Sequence, residues 1–151
     1  MDIFKVALFG HRDFCATRET EGKLYDILKD LMLKKSCLEI YIGRNGEFDL
    51  FAASVVKRIK KELDDSSCSM SLILPYKVKD IEYYENYYDD VIIYEGEKKL
   101  HPKAAITKRN EWMIENCDLL VCFIEHNSGG AYKAMRHAAK LGIKTINLFS
   151  F

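Results

Sequence analysis

The strongest constraint in this chain is that its apolar runs are continuous rather than alternating. Phe4-Lys-Val-Ala-Leu-Phe9, Cys37-Leu-Glu-Ile-Tyr-Ile42, Met70-Ser-Leu-Ile-Leu-Pro75, Leu119-Leu-Val-Cys-Phe123 and Thr145-Ile-Asn-Leu-Phe149 each read as a strand. A strand with water on one face alternates apolar and polar residues, whereas a strand covered on both faces does not. Segments of helical period separate these runs. One covers about 20–35, with Leu24, Ile27, Leu28 and Leu31 in register, and another covers 47–63, with Phe48, Phe51, Ala52, Val55, Val56 and Ile59 on one face. A third covers 103–116 behind Pro102, and the last runs to Leu141, where Gly142 supplies a stop. Doubly buried strands alternating with helices predict a parallel sheet between two helical layers. The expected fold is a single Rossmann-like three-layer α/β domain over 1–151, with a mostly parallel sheet of five or six strands.

The pattern changes at Asp80-Ile-Glu-Tyr-Tyr-Glu-Asn-Tyr-Tyr-Asp-Asp90, which is acidic and dense in tyrosine. It reads as a short helix followed by a short edge strand over 91–94. Tyr84 and Tyr88 are expected to pack inward, and Tyr83 and Tyr87 to face solvent or a pocket mouth. Residues 95–101 read as a polar loop.

Charge and cysteine usage exclude several classes. Lys and Arg number 23 and Asp and Glu number 23, so no global field draws the chain to duplex DNA or an anionic membrane. Direct DNA binding is therefore disfavoured at this level. The first residues are too short and too charged for a signal peptide, and no apolar run is long enough to span a bilayer. The five cysteines, Cys15, Cys37, Cys68, Cys117 and Cys122, are odd in number and match neither a disulfide framework nor zinc-ligand spacing. A reduced, cytoplasmic protein is expected, with no metal and no bound cofactor; Cys15, after the first loop, is the one candidate for a reactive thiol.

Three strand ends carry unusual residues: Gly10-His11-Arg12, Gly43-Arg44-Asn45-Gly46 and Ser128-Gly129-Gly130. In an open parallel sheet, ligands bind beyond the carboxyl ends of the strands. Glycines there permit close approach of backbone, and a helix opening at Gly130 offers unpaired N–H groups to an anion such as phosphate. Arg12 and Arg44 are expected to add charge-assisted contacts to phosphate. The dinucleotide G-x-G-x-x-G spacing, the Walker A lysine loop and the G-x-S-x-G nucleophile elbow are all absent.

Lys108-Arg-Asn-Glu-Trp-Met113, then Cys117-Asp118, then Ser128-Gly-Gly130 resemble the SLOG superfamily, which groups the LOG phosphoribohydrolases, the DprA DNA-processing proteins and the bacterial YpsA-like proteins. LOG enzymes carry Arg-Lys-x-x-Met, then Ala-Asp, then an apolar strand and Pro-Gly-Gly-x-Gly-Thr-x-x-Glu. Arg109, Met113, Asp118, Gly129 and Gly130 fall in that register. The small YpsA-like members are more similar still, through Phe9-Gly-His-Arg12, Gly43-Arg-Asn-Gly-Glu-Phe-Asp49, Lys108 to Met113 and Gly129-Gly-Ala-Tyr132. The likeness covers essentially the whole chain.

That resemblance implies a nucleotide or nucleotide-derived ligand, with Arg109 in the place of the arginine LOG enzymes use. It also implies pairing through helices, so Trp112 and Met113 are expected in the core or at a homodimer face. The LOG glutamate, however, corresponds to Arg136, and Tyr132 and Lys133 replace Gly-Thr. A cation does not stabilise an oxocarbenium ion as a carboxylate does. The expectation is thus a non-catalytic binder or sensor. Its ligand would meet Gly10, His11, Arg12, Gly43, Asn45, Gly46, Asp49, Arg109, Asn110, Ser128, Gly129, Gly130 and Tyr132. His11 is either a turn-satisfying residue or a general base, and Asp49 either a helix-start acid or a contact for a ribose hydroxyl or base amine. The alternatives are a LOG-like phosphoribohydrolase with Glu47, Asp49 or Glu125 as the missing carboxylate, and a DprA-like DNA- or division-associated protein.

Overall fold

The computed structural model describes residues 2–44, 46–94 and 100–150. The polar loop read over 95–101 falls mostly outside them, as does Asn45. Six strands and five helices follow one another as β1 (Phe4–Gly10), α1 (Arg18–Lys34), β2 (Leu38–Ile42), α2 (Glu47–Leu63), β3 (Cys68–Leu74), α3 (Ile81–Tyr87), β4 (Asp90–Ile93), α4 (Pro102–Glu115), β5 (Leu119–Phe123), α5 (Gly130–Leu141) and β6 (Lys144–Asn147). The sheet has six strands in the order β4-β3-β2-β1-β5-β6, and every pairing is parallel.

Side chains alternate between the two faces of each strand, and both faces are buried, which is why the runs read as continuous. Val6 and Leu8 of β1 join one core with Leu24 and Leu28 of α1 and Phe48, Ala52 and Val56 of α2. Ala7 and Phe9 of the same strand join the other core with Met113 and Ile114 of α4 and Ala131, Ala134 and Ala138 of α5. Alanines at intervals of three or four residues let α5 approach the sheet closely, which the α4–β5–α5 connection requires.

The ends of the elements follow local chemistry. Helix α1 begins at Arg18, ahead of the expected position, because the Thr17 hydroxyl caps it by accepting from the Thr20 N–H at 3.1 Å. Helix α5 stops at Gly142, whose φ of +71° is the left-handed turn glycine permits. Strand β6 is shorter than the apolar pattern predicts. The Asn147 side chain takes over the pairing, accepting from Ile124 N–H at 3.0 Å and donating to Ile124 O at 2.9 Å, and the chain turns so that Phe149 is exposed.

Of the tyrosines, Tyr88 is buried, Tyr84 is half-buried and Tyr83 is exposed. Tyr87 is half-buried against the first core, with the Lys57 ammonium 3.6 Å from its ring centroid. Met113 is fully buried, and Trp112 packs on Tyr41 and Tyr94 with ring centroids at 5.4 and 6.1 Å. All five cysteines are free; burial raises the Cys68 and Cys122 thiols to about 12 and Cys117 to about 11, while Cys15 is exposed. Among the described residues no helix is long and apolar enough to cross a membrane.

Gly10, at the end of β1, lies beneath Phe48 at the start of α2. A Cβ there would come within 2.1 Å of the Phe48 ring, so this glycine serves packing. Gly10→Ala is expected to displace α2 and lower stability by about 1–3 kcal/mol, as overpacked cores do. Equilibrium denaturation measures it, and an unchanged midpoint would contradict this packing.

Candidate functional site

The chain runs outward from β1 through β2 and β3 to β4, then crosses back to place β5 on the other side of β1. The strand order therefore reverses between β1 and β5, where Gly10 pairs with Phe123. At such a switch point the loops after the two strands diverge and leave a crevice at their carboxyl ends.

A cleft of about 360 Å³ occupies that crevice. The loop after β1 contributes Gly10, His11 and Arg12; the loop after β2 and the start of α2 contribute Gly43, Gly46 and Asp49. Helix α4 contributes Arg109 and Asn110, and the loop into α5 contributes Ser128, Gly129 and Gly130. Tyr132 does not line it: its ring packs against the second core and its hydroxyl accepts from Arg136 at 3.2 Å. Arg44 is also absent from the lining, with its guanidinium 5.4 Å from the Tyr84 ring. His126, Asp13 and Ile106 line the cleft without having been anticipated. The position of His126, between the β5 run and the double glycine, was the available signal for it.

Arg109 is 2 % exposed, and its charge is held by fixed partners. Nη1 donates to Ile73 O at 2.7 Å, and Nε donates to Asn110 Oδ1 at 2.8 Å. Burial lowers its pKa to about 10; the Asp49 carboxylate acts against this by favouring the charged form, and the Arg44 charge adds to it. The guanidinium therefore ties α4 to the end of β3 and faces Asp49 across Gly43. A Cβ on Gly43 would meet Arg109 Nη1 at 3.1 Å and Asp49 Oδ2 at 3.2 Å. An arginine only donates, so the Asn110 oxygen must face it and the Asn110 NH₂ is left as a donor. That nitrogen lies 3.5 Å from where a Cβ of Gly130 would stand.

His11 is fixed just as closely. Its Nε2 accepts from the Glu125 N–H at 2.9 Å and lies 3.4 Å from the His126 nitrogen. The proton must therefore sit on Nδ1, and the ring is neutral. His126 stacks on it with centroids 3.6 Å apart and reaches Ser128 Oγ at 3.1 Å. Burial lowers the His11 pKa; His126 adds to this and Glu125 opposes it. With Nε2 accepting from backbone, His11 latches the glycine loop to β1, the turn-satisfying arrangement.

Two helices open onto the cleft, and their N-termini differ. Helix α2 has Glu47 and Asp49 in its first turn, and the Glu47 N–H already donates to Arg12 O at 2.9 Å. Neither helix has a side-chain cap, but α5 has no acidic residue in its first turn. Its positive end is left uncompensated. Gly129, with φ of +92°, has no atom within 4 Å of its Cβ position, so the loop before α5 is open where the glycines at 10, 43 and 46 are packed.

No protein-family model matches the sequence, and no curated protein matches it by sequence. Solved structures match the fold. DNA processing protein A from Helicobacter pylori, which binds single-stranded DNA, superposes with a TM-score of 0.66 at 16 % identity over 94 % of this chain and 63 % of its own. DNA processing protein A from Streptococcus pneumoniae gives 0.58 at 13 % identity, over 98 % of this chain and 60 % of its own. The molybdenum cofactor binding protein of the phototrophic bacterium Rippkaea orientalis gives 0.62 at 19 % identity, over 97 % and 77 %. The chain thus spans about three-fifths of the length of the two DNA processing proteins. The shared feature is the Rossmann-like fold; a specifically YpsA-like kinship has no counterpart among these matches.

The His11 latch predicts a pH dependence. The folded state binds the imidazole proton more weakly than the unfolded chain, whose histidine has the ordinary value of 6.5. Stability from this latch is full above that value and is lost as pH falls below it towards the lowered folded value. Replacing His11 by alanine removes the acceptor of the Glu125 N–H, a part-buried hydrogen bond, at a cost of roughly 0.5–1.5 kcal/mol at neutral pH. Denaturation of parent and His11→Ala at pH 7.5 and pH 5 checks this: the gap between them should narrow on acidification, and a constant gap would contradict the latch.

Proposed function

We propose that this protein binds a nucleotide or nucleotide-derived small molecule in the switch-point cleft, without cleaving it. The observation that carries the reading is the contrast between the two helix openings. Of the two, only α5 presents an uncapped N-terminus without its own acid, and the open Gly129–Gly130 backbone lies directly before it. A phosphate there would accept from the first N–H groups of α5. The Asn110 NH₂ is the neighbouring side-chain donor. Gly10 to Arg12, with Gly43 and Gly46, would form the opposite wall, where a nucleoside would lie.

Three features favour binding over hydrolysis. Arg136, in the place of the LOG glutamate, is exposed and does not line the cleft. Of the three carboxylates considered as substitutes, Glu47 and Glu125 do not line it either, and Asp49 faces the Arg109 guanidinium. A carboxylate matched to a buried cation is a poor nucleophile or base. Arg109 lines the cleft but is itself committed to Ile73 and Asn110, and supports the site as a buried strut.

A second reading is specifically favoured by the Helicobacter pylori match, whose protein binds single-stranded DNA. In that reading the same α5 opening receives one phosphate of a strand. Balanced total charge argues against tight, sequence-independent duplex binding, but does not bear on one strand held at a few phosphates.

Gly130→Asp separates fold from ligand. Its φ is not positive and a Cβ has room, so the side chain is accommodated, and a carboxylate at the helix opening stabilises α5 by about 0.3–1 kcal/mol. The same charge repels phosphate. In a thermal-shift screen with nucleoside 5′-monophosphates, ADP-ribose and a thymidine oligonucleotide, the parent should be stabilised by at least one mononucleotide. Gly130→Asp should melt at or above the parent's temperature and respond to none. Stabilisation by the oligonucleotide alone would favour the second reading, and free base released from a monophosphate would overturn the non-catalytic one.

A further inference from the structure

Beside the cleft, α4 and α5 pack side by side and leave a groove of about 370 Å³ between them. At one end of this seam Glu111 and Glu115 of α4 meet His137 of α5. Their ligand atoms all lie within 4.8 Å of one another, and His137 Nε2 is 2.9 Å from Glu115 Oε2. The side chains are 32 %, 50 % and 26 % exposed respectively, so they remain reachable from water.

The electrostatics of α4 argue that this trio is more than a surface ion pair. Glu111 and Glu115 are four residues apart on one helix, the spacing at which like charges repel. They also occupy the carboxyl-terminal half of α4, whose last turn has no basic residue, so the helix dipole opposes both charges. Lys108 lies 3.7 Å from Glu111 and answers part of this. A cation held between both carboxylates and the imidazole answers all of it.

We propose that Glu111, Glu115 and His137 form a three-ligand site for a borderline divalent metal ion of the zinc class. Two carboxylate oxygens and one imidazole nitrogen are a donor set for zinc, with a fourth position left to water or an anionic oxygen. Lys133, Arg136 and Lys140 line the same groove, so three cations stand against the two carboxylates. That disfavours a calcium ion, whose affinity rests on the number of anionic oxygens, and favours a metal bound through imidazole coordination. The ion would clamp α4, which carries Arg109 and Asn110, to α5, which begins at Gly130. Gly130 and Asn110 line both the groove and the cleft, so the clamp would stiffen the wall the two share. The site stands whether or not the cleft binds a nucleotide.

Cobalt is the probe that reports ligand type. Chelator-treated full-length protein titrated with Co²⁺ should develop visible d–d absorption that saturates at one equivalent and is displaced by Zn²⁺. No thiolate charge-transfer band should accompany it. His137→Ala should abolish the absorption, and Glu111→Gln and Glu115→Gln should each weaken binding by roughly tenfold or more. Cys15→Ser, which removes the exposed thiol, should leave it unchanged. Zn²⁺ should raise the melting temperature of the parent and not of His137→Ala, while the metal-free proteins melt alike. Absence of a saturable band, persistence of it in His137→Ala, or its loss in Cys15→Ser would each overturn the assignment.

Discussion

The site depends on one buried cation. Arg109 sits 2 % exposed beside the end of β3, and a guanidinium so placed is tolerable only when its N–H groups and its charge are answered. Ile73 O and Asn110 Oδ1 answer the hydrogen bonds, and Asp49 supplies opposing charge from the first turn of α2. Four elements therefore converge on it: α4, β3, α2 and the loop after β2. At Gly43 a Cβ would crowd that convergence, meeting the Arg109 and Asp49 side chains at 3.1 and 3.2 Å. Removing one partner of such an arrangement is worse than never having built it, since an unpaired buried charge remains.

The second fastening is His11, which holds the glycine loop to β1 through the loop's own N–H groups. Arg109 fixes the wall and His11 fixes the floor, so the α5 opening is held in place before any ligand arrives. Preorganisation of this kind lowers the ordering cost of binding. It also gives residues that look catalytic in the sequence fixed structural partners. The histidine has spent its acceptor on backbone, and the arginine and aspartate face each other.

The architecture was legible because doubly buried strands leave an unmistakable signature. Continuous runs at 4–9, 37–42 and 70–75 became β1, β2 and β3 with small shifts at their ends. The shifts came from single side chains: the Thr17 cap moved the start of α1, and the Asn147 amide cut β6 short. The three loops were legible as a group, and the cleft gathers them, but the reason for their glycines was not. Gly10, Gly43 and Gly46 answer Phe48, Arg109 with Asp49, and Arg12, contacts no local pattern reports. Tyr132 was misplaced because its ring packs under α5 and away from the cleft. The Glu111, Glu115 and His137 trio was invisible to any spacing rule, because two helices and a strand crossing bring it together.

The central claim is that the first turn of α5 receives the anionic part of the ligand. Backbone amide shifts report this most directly. A nucleoside 5′-monophosphate titrated into ¹⁵N-labelled protein should move the amide resonances of Gly129, Gly130, Ala131 and Tyr132 most, with saturation, and inorganic phosphate should move the same set. Largest shifts in the first turn of α2, or along Lys133, Arg136 and Lys140, would contradict it.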